Sequence, residues 1–575
     1  MPVDIPLRWL TTFLMLVFPA ATLFVNRGDS YTLGLLSLIG VWVWIRDGAR
    51  PWLDRHSGTL WFVCTLFFAV AVLSYIFGLQ TEDGFHFLGR YLRFLFIAPA
   101  YLAFRRYPPT AKTAFTGLAL GALVSGVLAM LLFMHAHTPI RVQATTELSI
   151  IFGDLATTMV LCTVAGFGLM AASRRVWSVP LLILCLAGGV AATLLSGTRG
   201  AWIPLLLLPL ALMTPLSGFL KRRYIFAIVL VLVAVFSSFY FMARSGTQIR
   251  LTDVRNSVRN YFVALHHMNT PIGGFDGRSI CKNDEEFLKA WVQSGRSVWG
   301  SPEVEVVADP HLGHIAGCTA DYAVRLHNHS ADQVTQYIFP RLPDPSASEQ
   351  HTKLLVRGEG KVIFLEGKEV GRISTSTYQY IALSDYKVPG QTVMVYITVF
   401  VSPDKTVWLV PLDSYFGEYS LSIANTSLGG RFEMWRSAWH LFLDHPLLGV
   451  GTGAFQENTL QLVHARVIAP FAGIYDHPHN DYLNALSSCG IIGFTALLAL
   501  LLLPAWFFIR AVHSAERVTH ALGLAGALTV AGFAIYALTD TVFLHSMMIT
   551  WYVIYLALFY ALIQTQAKKE NGETR

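Results

Sequence analysis

Long apolar segments constrain this chain more than any other feature. About twelve of them are long and apolar enough to cross a bilayer as helices of roughly 20 residues. Charged residues make up 14% of the chain and hydrophobic residues 54%, whereas soluble proteins carry about 25% charged residues. The sequence therefore predicts an all-α polytopic membrane protein. The predicted spans are 7–26, 31–45, 60–80, 89–104, 115–134, 148–171, 178–197, 201–216, 224–243, 490–509, 521–539 and 543–564.

The distribution of Lys and Arg predicts the orientation of these spans, because cytoplasmic connections are enriched in both. With a cytoplasmic N-terminus, the opposite connections are short and poor in basic residues: NRGDS, QTEDGFH and TDT. This alternation favours a retained first helix at 1–26 over a cleaved signal peptide. It also accounts for the net charge of +6 without nucleic-acid binding. The basic residues of the cytoplasmic connections include Arg46, Arg50, Arg55, Arg105, Arg106, Lys112, Arg174, Arg175, Lys221, Arg222, Arg223, Arg510 and Arg517.

Residues 244–489 interrupt the membrane pattern and are predicted to lie outside the cytoplasm. KLLVRGEGKVIFLEGKEVGRIS and QTVMVYITVFVSPDKTVWLV combine β-branched and aromatic residues with turn signals, which predicts a β-rich insert, a small sandwich. A structural insert, a partner surface and a carbohydrate-contacting module remain open as its role. The predicted domains are spans 1–9 at 1–243, the insert at 244–425, a helical catalytic loop at 426–489, and spans 10–12 with the tail at 490–575.

The six cysteines divide between two environments. Those in or beside apolar segments are typical of packing residues; they are Cys64, Cys162, Cys185 and Cys489. Cys281 and Cys318 fall in the insert, where an oxidising compartment permits a disulfide. Bridged and free thiols both remain open, because pairing depends on geometry.

Three arginines are candidate anion ligands. Arg199 lies in LLSGTRGAW, between the seventh and eighth predicted spans. An arginine at a membrane edge needs lipid phosphate or another anion, and a guanidinium can bind pyrophosphate in bidentate fashion. Arg431 and Arg436 bracket the first turns of a predicted helix, and Arg431 follows two glycines, where backbone donors favour anions. A solvated helix face is the alternative for both.

The helical loop also carries an apolar face and a glycine-rich turn. The spacing of Phe432, Trp435, Trp439 and Leu443 places these side chains on one face of a helix. The segment GVGTGAF at 449–455 follows. We exclude a nucleotide-binding loop there, because no strand, loop and lysine unit accompanies it.

The stretch YDHPHNDYLN at 475–484 holds the candidate catalytic residues. His477 and His479 are poorly spaced for two metal ligands and no third ligand is evident in the sequence, so we predict no metal site. A histidine titrates near neutral pH and can accept a proton from a hydroxyl, and Asp476 or Asp481 could orient it. The alternative is a hydrogen-bonded histidine at the membrane surface.

Three segments together resemble the O-antigen ligase and Wzy polymerase superfamily: TRGAW, then GRFEMWRSAWHLFLDHPLLGVGTGAF, then HPHNDYLN before a membrane helix. The ligase signature of that superfamily is His, then Asn, Ser or Gln, nine residues, Gly, two residues, and Gly, Thr or Tyr. Here His479 and Asn480 are followed by DYLNALSSC, Gly490, two isoleucines and Gly493. The resemblance is densest over 428–495, and the insert departs from the usual ligase.

The resemblance implies an inverting, metal-independent membrane glycosyltransferase without a cofactor, in the bacterial inner membrane. His479 takes the position of the catalytic base on the periplasmic side. Arg199 and Arg431 take the positions that bind the diphosphate of an undecaprenyl-diphosphate-linked glycan. The implied acceptor is lipid A–core or another glycan. The supporting substrate-binding candidates are Arg436, His477, Asp476 and Asn480.

Four functions are compatible with these residues. The signature around His479 favours an O-antigen ligase over a repeat-unit polymerase or a protein O-oligosaccharyltransferase of the same superfamily. A polysaccharide transporter is the alternative from another class. Transporters usually keep ionisable residues near the membrane midplane, and such residues are scarce within the predicted spans. The sequence therefore predicts an enzyme.

Overall fold

A computed structural model describes residues 4–48, 55–135, 148–171, 178–207, 427–464 and 475–570, most of the strands between 296 and 412, and a few isolated positions. Within this part of the chain, 10 helices are long and apolar enough to cross a membrane. They coincide with ten of the predicted spans, so a polytopic helical membrane protein is confirmed. The eighth predicted span begins with a short helix and a 3-10 turn, Ile203–Leu206; its remainder and the ninth lie outside the described residues.

The helices are numbered here in chain order. A 3-10 segment, Leu92–Phe96, joins α4 to α5, and the three together form one span, Glu82–Arg106. The helices are α1 Asp4–Phe24, α2 Gly28–Asp47, α3 Arg55–Phe77, α4 Glu82–Tyr91, α5 Ile97–Arg106, α6 Ala111–His135, α7 Ser149–Ala171, α8 Ser178–Leu195, α9 Arg199–Trp202, α10 Ser427–Asp444, α11 Phe455–His464, α12 Asp481–Val512, α13 Arg517–Thr539 and α14 Ser546–Glu570.

Two spans form the centre of the helical unit. The most apolar stretch of α7 is 94% buried and that of α14 is 89% buried, against 39% for α1, α3 and α12. A helix that is apolar all round and buried belongs to a core, whereas a half-buried apolar helix turns one side to lipid. Small residues allow close packing: a Cβ on Gly126 of α6 would lie 2.4 Å from the Cα of Gly188 in α8.

A break in α12 positions the segment that precedes it. Gly490 has φ 65° and ψ −162°, which is not helical, and this backbone conformation is essentially restricted to glycine. The turn after α10 packs there: the Ile491 amide donates to the Pro446 carbonyl at 2.8 Å, and a Cβ on Gly490 would lie 2.2 Å from the Leu447 carbonyl oxygen. The glycine of the ligase signature therefore admits a backbone approach that a side chain would prevent.

The glycine-rich segment at 449–453 is a packing element. Gly449, Gly451 and Gly453 all have positive φ. The Val450 amide donates to the Ser487 carbonyl at 2.9 Å, and the Leu79 amide donates to the Val450 carbonyl at 2.9 Å. The segment therefore joins the end of α3 to the first half of α12.

In the part of 244–425 that the structure describes, eight antiparallel strands lie within the bounds of the predicted β-rich insert. Their order in the sheet is β1-β4-β7-β5-β8-β3-β2, and β6 pairs with β5. The strands are β1 Arg296–Val298, β2 Glu303–Ala308, β3 Tyr322–His327, β4 Thr335–Pro340, β5 Lys353–Leu365, β6 Lys368–Ala382, β7 Tyr396–Val401 and β8 Thr406–Leu412.

Strand β5 is shared between two halves of this sheet. Its first part, through Gly358, pairs with β8, and its last part, from Val362, pairs with β7. Buried side chains from both halves, among them Val399 of β7 and Leu326 of β3, belong to one apolar cluster. The two halves therefore cover a common core. The described strands are joined by hydrogen bonds in one sheet, whereas the predicted sandwich would have two separate sheets. Cys281 and Cys318 lie outside the described residues, and their pairing stays a prediction.

Candidate functional site

Asn480 and Asp481 fix the start of α12 to the end of α13 and to the connection between α13 and α14. Asn480 is the N-cap residue: its side-chain oxygen accepts from the Leu483 amide at 3.0 Å, and its Nδ2 donates to the Leu538 carbonyl at 3.0 Å. The buried Asp481 accepts from the Phe543 amide through Oδ2 at 3.2 Å. Satisfied caps and buried polar groups define a helix start. These two side chains therefore hold the residue that precedes them in a fixed place.

His479 is that residue, and its backbone is unusual. Its φ is 47°, a left-handed conformation that non-glycine residues seldom adopt and that often occurs at functional sites. Its Nδ1 lies 2.9 Å from Oδ1 of Asp540. The imidazole side chain is 26% exposed and the carboxylate side chain 3% exposed. A buried carboxylate thus orients a partly open imidazole.

The pair has a defined protonation pattern. Burial alone would raise the pKa of Asp540, but the hydrogen bond from His479 and the charges of His479, His545 and His477 outweigh it and hold that pKa well below its usual value. Because an ionised carboxylate only accepts hydrogen bonds, Nδ1 of His479 carries the proton. In neutral His479, Nε2 is then the unprotonated nitrogen, as a general base requires.

His477 is held in the opposite tautomer. Its Nδ1 accepts from the backbone amide of His479 at 3.2 Å and lies 3.0 Å from Oγ1 of Thr541. An atom that accepts from an amide N–H carries no proton, so neutral His477 has its proton on Nε2. The two rings meet edge to face with centroids 4.4 Å apart. The site therefore offers a proton acceptor on one ring and a hydrogen-bond donor on its neighbour.

The same side chains include a possible metal-ligand set. His477, His479 and Asp540 each place one ligand atom within 4.8 Å of the others, so Asp540 is the third ligand that the sequence did not reveal. Oδ2 of Asp540 is buried without a hydrogen-bond partner in the described part of the chain. An ion bound through Nδ1 of His479 would displace the hydrogen bond to Asp540. His479 can therefore either bind an ion through Nδ1 or act as a base oriented by Asp540, but not both at once. The effect of a chelator on activity distinguishes the two roles.

Arg199 begins α9, and its neighbour places it near this pair. A Cβ on Gly200 would lie 2.3 Å from Oγ1 of Thr539, and Thr539 immediately precedes Asp540 in the chain. The preceding residue, Thr198, donates through Oγ1 to the Ser149 carbonyl at 3.0 Å. The backbone at Arg199 is thus fixed beside the α13–α14 connection, whereas its side chain lies outside the description.

The other predicted arginines belong to a second compact unit, made of Arg250–Ser437 and Gln456–Asp476. Arg431 is half-buried in the second turn of α10. Arg436 pairs with the buried Glu433 at 3.4 Å and donates to the Val467 carbonyl, so its guanidinium anchors α10. Asp476 is half-buried at the end of this unit. Their binding of substrate stays a prediction, as it does for Arg199, His477 and Asn480.

Sequence reasoning missed Asp540 as the partner of His479 and considered Asp476 and Asp481 instead. The available signal was the aspartate in the short TDT connection, on the same predicted membrane side as His479. Sequence reasoning also missed a contact to the same connection: Nη1 of Arg90 in α4 donates to the Leu544 carbonyl at 3.0 Å. Nothing in local spacing links residues so distant in the chain.

Comparison with known proteins identifies the segment that contains His479. Residues 391–498 match the O-antigen ligase family. The resemblance seen in the sequence is therefore confirmed over this part of the chain, which includes His479, Asn480, Gly490 and Gly493. The coarser conclusion follows: this is a multi-pass membrane protein with a segment of the O-antigen ligase and polymerase type.

One bacterial protein is similar to part of the chain. The chain is 27% identical over 122 residues to an uncharacterized protein of Haemophilus influenzae (strain ATCC 51907 / DSM 11121 / KW20 / Rd). The alignment covers 21% of this chain and 31% of that protein. The alignment therefore extends over about a third of the relative, whose name describes no activity.

Proposed function

We propose that this protein is a glycosyltransferase that moves a glycan from undecaprenyl diphosphate to an acceptor hydroxyl, with O-antigen as the glycan and lipid A–core as the acceptor. The site would lie on the periplasmic face of the bacterial inner membrane. The observation that carries the proposal is the contact between Nδ1 of His479 and the buried carboxylate of Asp540. His479 lies in the segment that matches the O-antigen ligase family, whereas Asp540 lies beyond it.

In the proposed reaction, Nε2 of His479 accepts the proton of the acceptor hydroxyl. The hydroxyl oxygen forms a bond to the anomeric carbon while the bond from that carbon to the diphosphate oxygen breaks, which inverts the carbon. Asp540 stabilises the imidazolium that forms, as a carboxylate does in other oriented histidine bases. The departing diphosphate keeps the electron pair and leaves the site on its lipid.

The arginines would stabilise the charge that develops on the leaving diphosphate. We assign this role to Arg199, at the start of α9, and to Arg431 in α10. Arg436 is assigned to anchoring α10 through Glu433, because its guanidinium is already used there. His477 would donate its Nε2 proton to a substrate oxygen, and Asn480 would keep His479 in place. No nucleotide or cofactor is needed, since the diphosphate linkage supplies the free energy.

Replacement of His479, Arg199 and Arg431 by alanine tests the proposal. Membranes that carry each variant should transfer little glycan. The His479 variant should still bind the lipid-linked donor, the two arginine variants should bind it more weakly, and a chelator should leave the wild-type rate unchanged. Full transfer by the triple variant would overturn the proposal. Loss of transfer on chelation would favour the metal alternative at His477, His479 and Asp540.

A deletion strain distinguishes the related activities. Polymer that remains on the carrier lipid indicates a ligase, whereas single repeat units on the carrier indicate a polymerase. A glycan mass on an exported protein, lost on deletion, indicates a protein O-oligosaccharyltransferase. Flux of the lipid-linked glycan without a new covalent product would indicate a transporter instead.

A further inference from the structure

The apolar face of α10 is exposed at its C-terminal end. Trp439 is 49% exposed, Leu443 is 56% exposed, and Leu447 in the following turn is 65% exposed. The opposite side of the same helix holds the buried Ala438 and Leu441. We call Trp439, Leu443 and Leu447 the apolar stripe. Large apolar side chains exposed near one another mark a candidate contact surface for a protein or a membrane.

The stripe is attached to the wall of a membrane span. The amides of Ile491 and Ile492 in α12 donate to the carbonyls of Pro446 and Leu447, at 2.8 and 3.4 Å. The side chains of Ile491 and Ile492 are themselves 39% and 42% exposed. Because Leu447 is bonded to this part of α12, the apolar stripe continues the exposed apolar surface of the span.

The length of α12 sets the depth of this junction. The break at Gly490 divides the 32 residues of α12. The hydrocarbon core of a bilayer is about 30 Å thick and takes roughly 20 residues, so the part after the break is long enough to cross it alone. The apolar run ends at Arg510, so a count of about 20 residues back from it reaches Gly490. The first part of α12, with Asn480 and Asp481, therefore projects beyond the hydrocarbon, and Leu447 lies at its boundary.

Polar side chains flank the stripe as they do on helices at a membrane surface. His440 is half-buried and Asp444 is exposed. At 3.6 residues per turn, Asp444 lies about 100° around the helix from Leu443. A helix with an apolar edge and polar flanks lies in the interface plane and inserts the edge among headgroups and upper acyl chains, and tryptophan favours this level.

We propose that the apolar stripe inserts into the membrane leaflet on the side where α12 begins, with phospholipid glycerol and upper acyl chains as its occupant. The contact fixes the height of α10 and its following turn relative to the bilayer. The same turn also packs at Gly490, and His479 lies just before the start of α12. The lipid contact therefore sets the distance of His479 from the hydrocarbon core. This surface is defined by burial and backbone contacts alone, so it does not depend on the reaction.

Fluorophores attached at single cysteines test the insertion in the full-length protein, reconstituted in phosphatidylcholine nanodiscs. Cys281 and Cys318 are first replaced by serine, and the four buried thiols stay. Leu443→Cys and Leu447→Cys report on the stripe. Asp444→Cys is the matched aqueous control from the same turn, and Leu502→Cys, on the 61% exposed position of α12, is the deep lipid control.

Labels on the stripe should show blue-shifted emission and stronger quenching by lipid with a nitroxide near the headgroup than by lipid with a nitroxide deep in the chain. The Leu502→Cys label should show the reverse order, and the Asp444→Cys label should respond to aqueous iodide. Stripe labels that respond to iodide as strongly as Asp444→Cys would overturn the proposal. Stripe labels shielded from both lipid and iodide would also overturn it, in favour of a second copy or another protein as the occupant.

Discussion

Two buried aspartates in this protein each contact a basic side chain, an arginine in one pair and a histidine in the other. The two pairs differ in how far that basic side chain is exposed. In the β-rich unit, Asp309 contacts Arg357 at 2.7 Å, and the guanidinium lies 4.2 Å from the centroid of the Trp408 ring. At the start of α12, Asp540 contacts His479 at 2.9 Å. Both carboxylates are nearly inaccessible, but the Arg357 side chain is 16% exposed and that of His479 is 26% exposed.

The difference lies in the partner and its backbone. An arginine stays charged at any accessible pH, and Arg357 is covered by an aromatic ring, so this pair is suited to stabilising the fold. A histidine can gain and lose a proton near neutral pH, and His479 is held in a left-handed conformation that costs free energy. Similar burial of a carboxylate can therefore serve stability in one unit and chemistry in the other.

The largest expected effect concerns the pair of His479 and Asp540. Asp540→Asn should lower the rate of glycan transfer by about 10²–10⁴-fold, the range of a positioned general base, because the amide no longer holds Nδ1–H or stabilises the imidazolium. The thermal unfolding temperature and donor binding should change much less. Transfer assays with purified donor measure the rate. If Asp540→Asn transferred glycan within a few-fold of the wild-type rate, the His479–Asp540 pair would not differ in function from the Asp309–Arg357 pair.

The corresponding change in the β-rich unit should act on stability. Asp309→Asn leaves Arg357 without its buried counter-charge and should destabilise that unit by about 3–5 kcal/mol. The matched control is Glu305→Gln, which removes the exposed partner of Arg325 at 3.5 Å and should cost less than about 1 kcal/mol. Denaturant unfolding followed by strand-specific hydrogen exchange measures both. Equal costs for the two variants would contradict the buried-pair account.

A substitution at Gly490 tests whether the fold around His479 depends on the packing of the turn after α10 against the break in α12. Gly490→Ala should destabilise the protein by about 1–3 kcal/mol through its backbone conformation alone, with a further cost because the Cβ would meet the Leu447 carbonyl oxygen. Gly34→Ala in α2 is the control, since nothing lies within 4 Å of its Cβ position. Thermal unfolding in nanodiscs compares them. A Gly490→Ala protein as stable as Gly34→Ala would show that the break in α12 is dispensable.

The smallest expected effect concerns acid stability. The pKa of Asp540 is lowered in the folded protein from an ordinary value of 3.8, so its ionised form contributes stability above that value. This contribution is lost as pH falls through the folded-state pKa. Wild type should therefore be more stable than Asp540→Asn at pH 6, and the gap should narrow below about pH 4. A gap that widens on acidification would mean that the pKa is raised instead.

Features that depend on local pattern could be predicted from the sequence. Continuous apolarity marked the ten described spans, and β-branched runs with turns marked the strands. The spacing from His479 to Gly490 pointed to the correct segment. The break at Gly490 could not be predicted, because the signature specifies a glycine and not its φ.

Features that depend on tertiary contact could not be predicted. Asp540 pairs with a residue 61 positions away, and no periodicity connects them. The spacing of Trp439 and Leu443 showed that they share a helix face, but sequence alone does not tell whether protein, water or lipid covers that face. For Arg436, the partner Glu433 lies only three residues away, yet the carbonyl of Val467 that completes its contacts comes from a separate segment.

The central claim is that His479, oriented by Asp540, accepts the proton of the acceptor. Single-turnover transfer from a purified undecaprenyl-diphosphate-linked glycan, by wild type and His479→Gln in the same lipid, tests it most directly when donor binding is measured in parallel. The account predicts equal donor binding, a wild-type rate that falls as pH is lowered, and a slow, pH-independent residual rate in the variant. A His479→Gln protein that transfers glycan at the wild-type rate, with the same pH dependence, would contradict it.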